Sequence, residues 1–186
     1  MKEIFEKKLK SSPVIAAVKD LNNLEDALNS KCEIIFLLGG NIFNLEQIVD
    51  KVKKSGKMIF IHVDLIDGFS RDATALRYIY EKMKPDGIIS TKNNQLKVAK
   101  ELGLLTVQRL FIIDSLSIDT TVKTSQAIKP DAVEIMPGIM PDITKRLSTL
   151  IEVPIIVGGL VSEKKYVDLA TENGAHGVST SCKELW

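Results

Sequence analysis

The stretch KPDGIISTK (84–92) and its counterpart KPDAVEIMPG (129–138) decide the reading of the fold. In each, Lys-Pro-Asp follows an amphipathic segment and precedes a short apolar run. Proline lacks a backbone N–H and disfavours helix in the residue before it, so a helix stops there. The runs Gly87–Ser90 and Ala132–Met136 are too short for helices and rich in Ile and Val, which marks strands. One α-to-β connection used twice says that helix and strand alternate along the chain.

Working outward, strands are expected at Val14–Val18, Ile34–Leu38, Met58–Asp64, Leu104–Arg109, Pro154–Val157 and Gly177–Ser179 besides those two. Helices are expected near Leu21–Asn29, Leu45–Ser55, Arg71–Lys84, Asn93–Leu102, Ile118–Ile128, Ile143–Leu150 and Glu163–Asn173. Ser162 is read as the N-cap of the last, and Asn173–Gly174 as its close. Most strands are apolar at consecutive positions, the habit of parallel strands covered on both faces. Eight such units predict an α/β fold: one minimal (β/α)8 TIM-type barrel over residues 1–186, with short loops and a truncated last helix. The rival, a doubly wound open sheet, has fewer strands and a Gly-rich first turn, and no GxGxxG follows the first strand.

The composition agrees. Apolar residues are 45% and charged residues 26% of the 186, which excludes a disordered or fibrous chain. A chain of this length buries about 70% of its unfolded surface and needs no staples. Two cysteines, Cys32 and Cys182, with no CxxC, fit a reducing setting and argue against a metal centre. No apolar stretch approaches the roughly 20 residues of a membrane span, and the charged start, Met1 to Lys10, has no signal-peptide core.

In such barrels ligands sit at the C-terminal ends of the strands. Gly158–Gly159 after strand seven and Ser179–Thr180–Ser181 after strand eight put bare backbone N–H groups beside hydroxyls, where this fold commonly holds phosphate. The plainer reading is a tight turn with helix caps. Lys19, Lys92 and Arg109 supply positive charge at three strand ends, and Asp64 and Glu134 are the carboxylates near them. These five either grip a phosphate and its neighbouring hydroxyls or pair among themselves. Gly39–Gly40 is a weaker case and reads equally as a turn. His62, in strand three, points into the barrel or outward, and reads as a core histidine with its hydrogen bonds met; His176 falls on the bottom face. No Ser/His/Asp set, HExxH, GxSxG or P-loop occurs, so no catalytic residue is assigned, although the acids and lysines leave acid/base or Schiff-base chemistry open.

The words PVIAAVKD (13–20), IFLLGG (35–40), IHVDLIDGFSRD (61–72), DGIISTK (86–92), QRLFIIDS (108–115), VEIMPGIMP (133–141) and PIIVGGLV (154–161) resemble the glycerol uptake operon antiterminator regulatory protein family. The resemblance runs in order from about Pro13 to Ser181. It implies a small barrel and a cytoplasmic regulator that senses glycerol 3-phosphate and acts on the leader of a nascent mRNA, with no further cofactor. One departure is IIVGGLV, where the family suggests an alanine before a single glycine. On this reading Gly158, Gly159, Ser179 and Thr180 hold the phosphate, Lys19, Lys92 and Arg109 supply charge, and Asp64 and Glu134 meet the glycerol hydroxyls. The alternative is a phosphate-handling barrel enzyme, an isomerase, aldolase or phosphodiesterase. Basic clusters at Lys7–Lys10, Lys51–Lys57 and Lys82–Lys84 read first as solvated helix faces. With a formal net charge of +1, RNA contact requires a localised patch on the barrel or across a homodimer.

Overall fold

The computed structural model describes residues 1–186. Eight parallel strands close into a barrel in the order β1 (Val14–Val18), β2 (Ile34–Leu37), β3 (Met58–His62), β4 (Gly87–Ser90), β5 (Leu105–Phe111), β6 (Ala132–Met136), β7 (Ile155–Gly158) and β8 (Gly177–Thr180). β8 pairs with β1, Val14 opposite Val178, so no edge remains. Helices α2 (Leu24–Asn29), α3 (Leu45–Lys54), α4 (Ala73–Tyr78), α5 (Asn93–Glu101), α6 (Ser115–Ile128), α7 (Pro141–Ser148) and α8 (Lys164–Glu172) follow the first seven strands. After β8 there is only a 3-10 turn, Lys183–Leu185.

The minimal barrel of the sequence reading is therefore the fold. Its strands differ at their ends for local reasons. β5 runs on to Phe111, so Arg109 lies inside the strand, because its ladder with β6 continues to the Phe111–Met136 pair. β3 stops at His62, and Asp64 sits in a 3-10 turn, Val63–Leu65. Ser162 does not cap α8. The helix starts one residue later than expected, behind Glu163, with no side-chain cap. The Ser162 carbonyl instead faces the Cys182 thiol.

The two Lys-Pro-Asp turns share one geometry. Lys84 and Lys129 both take left-handed φ, 51° and 50°; Lys84 ends the π-helical turn Ile79–Met83 that continues α4, and Lys129 ends α6. Asp86 and Asp131 then turn back onto the preceding strand, accepting from the N–H of Ile59 (2.9 Å) and of Thr106 (2.8 Å). Each turn thereby ties the strand it begins to its neighbour.

Alternate strand residues fill the barrel. Ile15, Ile34, Phe36, Met58, Phe60, Ile89, Leu105, Val107 and Ile156 form one buried cluster, while their in-between neighbours pack under the helices. Phe60 needs the room that Gly87 leaves, since a Cβ there would lie 2.5 Å from its ring. The bottom is closed by a helix the sequence reading did not foresee, α1 (Lys2–Ser11). Its Phe5 and Leu9 are buried in the same interior cluster, with the Phe5 and Phe60 rings 4.9 Å apart. Only these two side chains of α1 are buried among many charges, too thin a stripe to announce a helix.

Candidate functional site

The top layer of the barrel interior is polar, unlike the layers beneath. His62, Arg109, Glu134 and Ser179 occupy inward-facing positions of β3, β5, β6 and β8, and all four are buried. Glu134 is wholly buried, a state a carboxylate tolerates only when its oxygens are answered. Both are: Arg109 Nε donates to Oε2 at 2.6 Å, and Ser179 Oγ donates to Oε1 at 2.5 Å. Gly158 makes this contact feasible. A Cβ at that position would stand 2.7 Å from Glu134 Oε1 and against the Ser179 hydroxyl. The first glycine of IIVGGLV thus has a packing reason.

Above this layer opens a cavity of about 520 Å³. Lys19, Arg109, Gly159, Ser179 and Thr180 line it, and no carboxylate does. Arg109 is held at Nε alone, and its two terminal nitrogens have no hydrogen bond within the chain. The Thr180 hydroxyl shapes the rim, donating to the Val161 carbonyl (2.6 Å) and accepting from the Cys182 N–H (3.0 Å).

The β7–α8 loop is strained where it meets the cavity. Gly159 and Leu160 have φ of 76° and 62°. A left-handed leucine costs about 1–2 kcal/mol, and here the side chain is 70% exposed, so its packing does not explain the cost. What the conformation does is turn backbone toward the cavity. The N–H groups of Gly159, Leu160 and Ser181 donate to no acceptor in the protein. Free N–H groups, a half-engaged guanidinium, Lys19 and no facing acid make an anion site.

The sequence-expected residues divide into groups. Lys19, Arg109, Gly159, Ser179 and Thr180 meet at the cavity, with Glu134 and Gly158 directly behind them. Asp64 and Lys92 stand outside its lining. Asp64 clamps the tops of β3 and β4, accepting from Ser90 Oγ (3.0 Å), Thr91 N–H (2.8 Å) and Thr91 Oγ1 (3.1 Å). Lys92 is exposed at the start of α5, without a hydrogen bond from its ammonium. Sequence reasoning missed Leu160, whose only signal is its backbone angle. It also missed that His62 is a core residue whose hydrogen bonds are not met: Nδ1 is buried without a partner, 3.9 Å from Asp64 Oδ2. Burial, then the nearby Arg109 charge, push the His62 pKa down to about 4 against the pull of Asp64, so the ring is neutral near pH 7.

Comparison with known proteins places the chain. The profile of the family described as "Glycerol-3-phosphate responsive antiterminator" matches residues 14–186. The chain is 40% identical over 178 residues to "Uncharacterized protein YgcP" of Escherichia coli, covering 96% of this chain and 93% of that one. Among solved structures it resembles a glycerol uptake operon antiterminator regulatory protein from Listeria monocytogenes, with TM-score 0.88 and 32% identity over 93% of this chain and 94% of that one. A glycerol uptake operon antiterminator-related protein from Thermotoga maritima superposes with TM-score 0.81 at 27% identity, covering 94% and 98%. Deoxyribose phosphate aldolase from Aeropyrum pernix, at TM-score 0.70 and 13% identity over 96% and 89%, shares the fold alone.

Proposed function

The chain belongs to the glycerol-3-phosphate responsive antiterminator family, and on that premise we propose that its cavity takes glycerol 3-phosphate and that the loaded protein acts on the leader mRNA of glycerol-utilisation genes. The observation that carries the ligand assignment is the wall of the cavity. It offers Lys19, the free end of Arg109 and three unengaged backbone N–H groups, with no carboxylate to repel a phosphate.

In this reading the phosphate rests on the Gly159–Leu160 turn and the Ser181 N–H, with Arg109 and Lys19 closing on its oxygens. Glu134 acts from behind, fixing the plane of the guanidinium and the Ser179 hydroxyl, so that neither has to be ordered when the ligand arrives. The glycerol end reaches toward the centre of the mouth, where Lys92 and the Asp64 clamp stand further out. Binding biases the molecule toward its RNA-competent state only by the difference in ligand affinity between two states, and that difference is the regulatory signal.

Isothermal calorimetry tests the ligand, with glycerol 3-phosphate titrated against glycerol and inorganic phosphate. Heat from the first at submillimolar concentration, and much weaker binding of the other two, is the expected outcome. A folded sample that gives no heat at millimolar glycerol 3-phosphate overturns the assignment. Filter binding of leader RNA with and without the ligand tests the regulation, and equal affinity in both arms overturns it.

A further inference from the structure

The two ends of the barrel place their charges differently, and the cavity end mixes acids with Lys19, Arg71, Lys92, Lys164, Lys165 and Lys183. At the cavity end, Asp20, Asp72 and Asp114 cap helices, and Glu25, Asp26, Glu46 and Asp142 occupy first turns. At the other end, lysines gather at or beside four helix-to-strand turns, those after α2, α3, α4 and α6. Lys31, Lys54, Lys82, Lys84 and Lys129 are all exposed there, and none forms an ion pair. The turns after α5, α7 and α8 hold no Lys or Arg, and Lys145 and Arg146 stand on the last turn of α7.

These turns are stitched into one surface by further lysines whose ammonium groups bond to backbone carbonyls. Lys57 reaches the Ser30 carbonyl (2.9 Å), Lys53 that of Lys84 (2.8 Å) and Lys100 that of Lys129 (2.6 Å). Lys8 of α1 reaches Gly56 (3.3 Å). Acids on the same face are mostly consumed. Glu33 takes Ser11 and Lys8, while Asp86 and Asp131 take backbone N–H groups, leaving Glu81 and Glu101 with Glu3 and Glu6 of α1.

Helix dipoles favour cations at helix C-termini, which accounts for Lys53, Lys54 and Lys100. They do not account for Lys84 and Lys129. Both occupy the left-handed position past the helix end, where glycine is favoured and a side chain is strained. Twice the chain accepts that strain and places an unpaired ammonium there. The patch contains lysine and no arginine, which suits contact with phosphates as point charges more than bidentate reading of bases.

We propose that this lysine face, on the opposite end of the barrel from the cavity, is where the protein holds the phosphate backbone of RNA. The proposal rests on the RNA half of the function given above. It means that ligand and RNA occupy opposite ends of one barrel.

The test uses the full chain, a stem-loop RNA and a single-stranded oligouridylate in filter binding over a range of KCl. The informative variant is Lys84→Gly with Lys129→Gly, which removes two charges while relieving two strained positions, so its thermal midpoint should not fall. Lys164→Gln with Lys165→Gln, on the first turn of α8 at the cavity end, removes the same charge elsewhere. Loss of two phosphate contacts should make the slope of log K against log salt shallower by about 1.4–1.8, with weaker binding at low salt, and the α8 variant should match the parent. Unchanged binding in the glycine variant, or equal loss in both variants, overturns the proposal while leaving the RNA function standing. A parent that binds neither RNA at low salt overturns both. Tighter binding of poly-glutamate than of either RNA assigns the face to an acidic protein and also overturns it.

Discussion

Arg109 and Glu134 are directly opposed partners on the β5–β6 ladder, so the backbone register itself holds the guanidinium against the carboxylate, Nε to Oε2 at 2.6 Å. An ion pair set by strand register needs no loop to organise it. It also leaves the charge of Arg109 pointing upward, where a ligand can use it.

Removing one side of that pair leaves a buried charge unanswered. Glu134→Ala should lower unfolding free energy by about 3–5 kcal/mol, read from denaturant midpoints at constant m-value. Arg109→Lys keeps a cation but loses the planar fork, and should weaken glycerol 3-phosphate binding by about tenfold or more in calorimetry. Ligand affinity unchanged in Arg109→Lys would remove Arg109 from the site.

Leu160 should yield stability when its strain is released. Leu160→Gly is expected to raise the unfolding free energy by about 1 kcal/mol, because its exposed side chain contributes little packing. Gly159→Ala should do the reverse. Its φ is 76°, and a Cβ there would lie 2.7 Å from the Met136 methyl. A lower thermal midpoint for Leu160→Gly would contradict this account of the loop.

His62 makes stability depend on pH. Its folded pKa of about 4 lies below the ordinary 6.5, so between those values the unfolded chain binds the proton and the folded one does not. Its contribution is therefore complete above pH 6.5 and is lost as pH falls toward 4, about 2 kcal/mol of it by pH 5 and about 3 kcal/mol in all. Denaturant melts at pH 7 and pH 5 should show this loss in the parent. His62→Met should remove that part of the pH dependence, and an equally steep profile in the variant would place the titration elsewhere.

Phe5 tests the role of α1. Its side chain is fully buried against Phe60, and Phe5→Ala should cost about 3–5 kcal/mol, as large core truncations do. A cost below 1 kcal/mol, the level of a surface change, would show that α1 is not part of the core.

The barrel was legible because its strands are buried on both faces, so Ile34–Leu37 or Ile155–Val157 read as short unbroken apolar runs with helical segments between them. The Lys-Pro-Asp turns gave two boundaries outright. α1 was hidden because its contribution to the core is two side chains. In the site, Gly159, Ser179, Thr180, Lys19 and Arg109 were legible from their places at strand ends in this fold. Residues whose work depends on three-dimensional partners were not: Asp64 turns sideways to Ser90 and Thr91, Glu134 lies beneath the cavity floor, and Leu160 matters through a φ angle that no side chain encodes.

The plug formed by Phe5 and Leu9 makes the barrel a well with one opening. A small solute that enters past Lys19 and Arg109 must leave by the same route, so the lifetime of a ligand-on signal is set at that single doorway. Nothing can be handed through to the lysine face below. On the proposed function, occupancy must be relayed there through the wall, along strands and helices shared by both ends.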